Sequence, residues 1–105
     1  VPRQIKVSAL ADFQPGDMKL LSLAGIGLAV FNIEGRFYAI RNRCPHEGGP
    51  VATGPIKGTL ITCPRHGWQF DLTTGQSTNR GAFSVKTYPV LVKEGTVYVE
   101  LADGL

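Results

Sequence analysis

The chain contains two cysteines and two histidines, and they fall in two short segments, Cys44-Pro45-His46 and Cys63-Pro64-Arg65-His66. Each segment offers one thiolate and one imidazole, the donor set that suits zinc or iron. Random scattering would rarely leave each histidine within three residues of a cysteine. Sixteen residues separate His46 from Cys63. Turn-forming neighbours flank both segments: Pro45, Gly48-Gly49-Pro50, Pro64 and Gly67. Such neighbours let a backbone wrap round a centre and aim its N–H groups inward. Two chemistries compete for these ligands. Zinc closes a tetrahedron with two Cys and two His, but its usual patterns pair Cys with Cys and His with His. A two-iron cluster held by two thiolates on one iron and two imidazoles on the other needs the same four donors. It accepts two mixed knuckles without strain. A single Cys44–Cys63 disulfide is the weaker reading, since the chain reads as intracellular.

Short strands must position these ligands. Thirteen glycines and seven prolines punctuate the 105 residues, and no long stretch keeps a helical period. Strands are predicted over residues 5–9, 18–23, 26–33, 36–41, 84–92 and 96–101. A turn at Pro15-Gly16-Asp17, a join at Ala24-Gly25 and hairpin turns at Glu34-Gly35 and Lys93-Glu94-Gly95 separate them. In the last strand Val97, Val99 and Leu101 alternate with Tyr98 and Glu100, the pattern of a half-buried strand. Residues 42–81 differ. They are rich in Pro and Gly, have only short apolar runs at 59–62 and 68–70, and hold all four Cys and His. A loop-rich insert of that length needs something to order it, and a bound metal centre supplies it. The expectation is one all-β domain over 1–105, with a cluster-binding subdomain at 42–81 on a base of 1–41 and 82–105. Gly25-x-Gly27 lacks the third glycine and following helix of a nucleotide loop and reads as a bent strand.

Cys-Pro-His-Glu-Gly-Gly-Pro at 44–50 and Cys-Pro-Arg-His-Gly-Trp-Gln-Phe-Asp at 63–71, followed by Thr74-Gly75, resemble the two cluster-binding loops of Rieske [2Fe-2S] proteins. The resemblance covers essentially the whole chain. It implies three small antiparallel sheets with the cluster near one tip. It also implies that Cys44 and Cys63 bind one iron and that His46 and His66 bind the other. Respiratory and photosynthetic members carry two further cysteines that tie the loops by a disulfide; Gly49 and Arg65 stand there in this chain. Those members also place hydroxyls where this chain has Trp68 and Phe70. Hydrogen bonds to cluster sulfurs stabilise the reduced state. Their loss points to the lower part of the family range of roughly −150 to +300 mV.

The features are most similar to soluble Rieske-type ferredoxins. That likeness implies a one-electron carrier, not an enzyme, between a flavin-dependent reductase and a terminal oxygenase, with docking near His46, His66 and Trp68. Two departures stand out: many such ferredoxins are acidic, and many carry a proline in the loop near Arg80-Gly81-Ala82-Phe83. The alternative is a small Rieske-like subunit of a larger oxidoreductase such as nitrite reductase; that family often lacks intact ligands, and here all four are present. An oxygenase would need two more histidines for a mononuclear iron, and the chain has none to spare.

The net charge is +3, with no like-charge block and no basic stripe interleaved with aromatics, which argues against nucleic acid. Between Arg36 and Arg80 six basic residues face two acidic ones, while the rest of the chain has five against six. No apolar run approaches the ~18 residues of a membrane span, and no basic, apolar leader opens the chain. A soluble cytoplasmic protein is expected.

Overall fold

The computed structural model describes residues 3–23, 25–45, 49–64, 67–79, 81 and 83–101. Among the described residues ten strands run in chain order: β1 (Arg3–Ala9), β2 (Met18–Leu23), β3 (Ile26–Ile33), β4 (Arg36–Arg41), β5 (Ile56–Lys57), β6 (Leu60–Thr62), β7 (Gln69–Asp71), β8 (Thr87–Tyr88), β9 (Val90–Lys93) and β10 (Thr96–Leu101). They form three antiparallel sheets, ordered β1-β10-β9, β2-β3-β4-β8 and β5-β6-β7. The only helical element among the described residues is a single 3-10 turn at Leu10–Asp12. No described helix is long and apolar enough to cross a membrane.

The four-stranded sheet is the centre of the molecule, and β3 explains why. Its sequence, IGLAVFNI, does not alternate, and Leu28 through Asn32 are all buried. An unbroken buried run of this kind needs cover on both faces. Pairing registers Met18 with Phe31 and Tyr38, and Ala29 with Ile40. That face packs with Val51, Ile61, Phe70 and Leu72 from the chain between β4 and β8. The opposite face presents Leu28, Val30 and Ala39 to Phe13, Val97, Val99 and Leu101. The first face therefore carries the small β5-β6-β7 sheet and the second carries β1-β10-β9.

Both main hairpins turn on Glu-Gly. Ile33 pairs with Arg36 and Lys93 with Thr96, so each loop has two residues, Glu34-Gly35 and Glu94-Gly95. Both central residues have positive φ (53° and 87°; 49° and 76°), the I′ geometry that matches strand twist. Lys93 thus belongs to β9 and not to its turn. Buried Asn32 secures the first hairpin, accepting from Gly35 N–H at 2.9 Å and donating to the Phe13 carbonyl at 2.8 Å.

One predicted strand divides. Residues 84–92 were expected to run as a single strand, yet the structure has β8 and β9 in different sheets, separated at Pro89. Proline has no N–H for a ladder. Its carbonyl still accepts from Glu100 N–H at 2.9 Å, so the chain changes sheet at that residue. The strand expected from residue 5 starts at Arg3, and β5 had no separate sequence signal. Ala24, half of the expected β2–β3 join, lies outside the described residues; Gly25 there has φ +81°.

Candidate metal centre

β4 delivers the chain to Cys44, and β6 delivers it to Cys63. The two loops then close the same way. Cys44 N–H donates to the Gly49 carbonyl at 2.7 Å, and Cys63 N–H donates to the Trp68 carbonyl at 2.7 Å, each five residues on. The second loop has an inner tie, Gly67 N–H to the Cys63 carbonyl at 3.1 Å, with Gly67 at φ +71°. An exposed proline follows each cysteine. His46 lies in sequence within the first closed loop and His66 within the second. Both lie outside the described residues, as do Glu47, Arg65, Arg80 and Ala82.

Both cysteines are buried in the same apolar cluster. Cys44 is 0% exposed and Cys63 1%, and both belong to one apolar cluster with Val51, Ala52, Ile61, Trp68 and Phe70. They form no disulfide. Two buried thiols under two turn-closed loops fit a metal centre, because buried thiolates need a compensating cation and a bound metal is one. The described residues include no group of three His, Cys, Asp or Glu that could hold a metal ion.

Each loop is also tied from outside by an asparagine. Asn42 Oδ1 accepts from both Val51 N–H and Ala52 N–H at 2.8 Å, across the mouth of the first loop. Asn79 straddles the second: its Oδ1 accepts from Gln69 N–H at 3.0 Å and its Nδ2 donates to the Gly67 carbonyl at 3.1 Å. The segment carrying Asn79 is held in turn. Ser77 bridges to Phe70 and donates through its N–H to the Phe83 carbonyl at 3.0 Å. The sequence reading missed both asparagines; the only signal was their place beside turn residues.

Trp68 is not the exposed aromatic of this region. It is 7% exposed and its ring lies 4.7 Å from that of Phe83, tilted by 50°. Phe83, which the sequence reading placed only in a covering loop, is 45% exposed. At the end of β7, Asp71 organises a turn by accepting from Thr73 Oγ1 at 2.6 Å and Thr73 N–H at 2.9 Å. Those bonds, the hydroxyl's first, hold its carboxyl below the ordinary value because they favour the charged form.

The chain matches the family described as Rieske [2Fe-2S] domain over residues 3–89. It is 33% identical over 99 residues to the ferredoxin component of a naphthalene 1,2-dioxygenase system from Pseudomonas putida, covering 93% of this chain and 95% of that protein. Among solved structures, it resembles a chain in a complex of reduced oxygenase and oxidized ferredoxin in carbazole 1,9a-dioxygenase. The TM-score there is 0.83 at 35% identity, with 91% of each chain covered. A putative small subunit of an NADPH nitrite reductase is also similar, at 25% identity and TM-score 0.76, covering 92% of this chain and 97% of that one.

Proposed function

Since the chain belongs to the Rieske [2Fe-2S] family, we propose that it carries single electrons to the terminal oxygenase of a ring-hydroxylating dioxygenase system. The cofactor is a Rieske-type [2Fe-2S] cluster, and the chain acts as an electron-transfer component and not as an enzyme by itself. The observation that carries the reading is the burial of Cys44 and Cys63 in one apolar cluster, each opening one of two alike closed loops that has one histidine in its sequence. Cys44 and Cys63 would hold one iron, and His46 and His66 the other. Residues 42–81 would form the cluster-binding subdomain on a base of 1–41 and 82–105.

When bound, the cluster accepts and returns one electron, moving between net charges of zero and −1. The chain's own residues set how readily that happens. Two neutral imidazoles in place of thiolates make the reduced state less anionic, which raises the potential. Trp68 and Phe70 supply no hydroxyl to the sulfurs, which lowers it within the family range. Burial of Trp68, Phe70, Val51 and Ala52 in the cluster that holds both cysteines keeps water from that side.

A flavin-dependent reductase would supply the electron. Docking of both partners would use the loop ends near His46 and His66, with Phe83 offering the aromatic surface that Trp68 does not. The nitrite reductase reading is weaker, with lower identity and with the full Cys-x-His and Cys-x-x-His set in place.

One spectrum tests the proposal. Purified protein is expected to be red-brown. After dithionite it should give the rhombic, low-average-g signal of a mixed His/Cys two-iron centre. Colourless protein holding one zinc would end the electron-carrier reading.

A further inference from the structure

We propose that Asn42 is a positioning residue of the first cluster loop, its side-chain carbonyl tying the loop's exit at Val51 and Ala52 to its entry at the end of β4. The inference rests on the reading that this loop carries two of the ligands. Asn42 stands at the end of β4, and its backbone is pinned to the sheet: its N–H donates to the Gly27 carbonyl of β3 at 2.9 Å. Its side chain then reaches across the loop mouth to accept from Val51 N–H and Ala52 N–H, both at 2.8 Å.

These bonds join residues nine and ten apart in the chain, whereas an ordinary turn-forming asparagine bonds within two or three. Val51 is 0% exposed and Ala52 6%. Water therefore cannot replace the acceptor, and buried N–H groups without one are costly. Val51 and Ala52 also pack in the apolar cluster that holds Cys44 and Cys63. The loop is thus closed twice, by Cys44 N–H to the Gly49 carbonyl inside and by Asn42 outside. In this arrangement one carbonyl oxygen ties the chain just before Cys44 to the chain just after Gly49 and Pro50.

Two substitutions separate the acceptor from mere bulk. Asn42→Asp keeps an oxygen that accepts both N–H groups; Asn42→Ala removes it. The first readout is bleaching of the visible absorbance by an iron chelator, well below the unfolding temperature, together with the linewidth of the reduced EPR signal. The second is amide hydrogen exchange at Val51 and Ala52, which needs no cluster. Asn42→Ala is expected to bleach about tenfold faster or more, to broaden the signal and to lose protection at both amides, because two buried donors lose their partner. Asn42→Asp should stay close to the original protein in all three. If Asn42→Ala does not fold, slow bleaching and protected amides in Asn42→Asp still support the acceptor role, and fast bleaching there overturns it. Bleaching of Asn42→Ala at the original rate overturns the proposal, as does equal bleaching of the two variants. So does a change fully accounted for by a lower unfolding midpoint. If the original protein holds no iron–sulfur cluster, the parent reading fails. The amide exchange then decides by itself whether Asn42 holds the loop.

Discussion

Exchanging an imidazole for a thiolate adds one negative charge to a cluster that is neutral when oxidised, and each further electron then costs more. His66→Cys should therefore keep a cluster, where it assembles, and shift its potential downward by on the order of 100–300 mV, toward the value typical of all-thiolate plant-type centres. A potentiometric titration followed by visible absorbance measures this, and an unmoved potential would contradict the ligand assignment. Asp71 gives a different residue-scale effect. Thr73 Oγ1 and N–H hold its folded carboxyl below the ordinary value. A depressed carboxylate contributes stability above its unfolded pKa, and that stability disappears as pH falls through the folded one. Asp71→Asn should accordingly flatten the acid limb of a stability-versus-pH curve below about pH 4, by a small amount because the group is near solvent. Equal slopes for the two proteins would show that the turn does not depend on the charge. The four proposed donors stand out in the sequence by type and spacing alone. Asn42 and Asn79 do not, since an asparagine beside a turn reads as a turn former. Only folding shows that their partners lie up to twelve residues away.

At the level of elements, β2, β3, β4 and β10 fall where the turn residues placed them, because Glu-Gly pairs and Pro15-Gly16 are strong local punctuation. β8 and β9 do not, because apolar content carries on through Pro89 while the hydrogen-bond ladder cannot. Sheet membership is a long-range outcome that local pattern does not encode. The small β5-β6-β7 sheet was implied by the family resemblance but not by pattern: its strands have only two or three residues, too short for a period to register. What seats the first loop's exit against this sheet is the close approach of Gly54 to β6. A Cβ on Gly54 would stand 1.7 Å from the Thr62 carbonyl oxygen and 2.8 Å from its carbon. Thr62 in turn donates its N–H to the Pro55 carbonyl and leads directly into Cys63. Gly54→Ala must push the two backbones apart beside a proposed ligand. The expected loss is at the top of the about 1–3 kcal/mol overpacking range or beyond, read by denaturant unfolding, with poor cluster incorporation at expression. Gly58, where a Cβ meets nothing within 4 Å, is the control; its cost comes only from φ +61° and should be near 1 kcal/mol. Comparable losses at both positions would remove the steric account.

Across the whole molecule the charge is unevenly placed: residues 36–80 carry four surplus positive charges while the remainder is slightly negative. That asymmetry is readable from the sequence, but its consequence depends on the fold, which gathers the chain between β4 and β8 onto one face of the central sheet. Exposed Arg43 leads into the first loop, and exposed Lys57 and Lys86 belong to the same stretch of structure. Lys86 also lends its carbonyl to Arg41 N–H at 2.9 Å at the end of β4, and its Nζ lies 5.5 Å from the centre of the Tyr88 ring. A one-electron carrier works through brief encounters, and at that step a long-range field acts on the association rate more than on final affinity. A positive loop end selects partners whose receiving surface is acidic, and salt screens the attraction over a Debye length of about 8–10 Å at physiological strength. The second-order rate of electron delivery to a cognate terminal oxygenase should therefore fall by about tenfold or more from low salt to a few hundred millimolar. Neutralising Arg43 and Lys86 together, as Arg43→Gln and Lys86→Gln, should lower the rate at low salt and flatten its salt dependence, with the reduction potential little changed. Stopped-flow reduction of the oxygenase at several ionic strengths reads both quantities. A rate that rises with salt would mean that the partner presents positive charge, and a flat profile would mean that apolar contact at Phe83, not the field, governs the encounter.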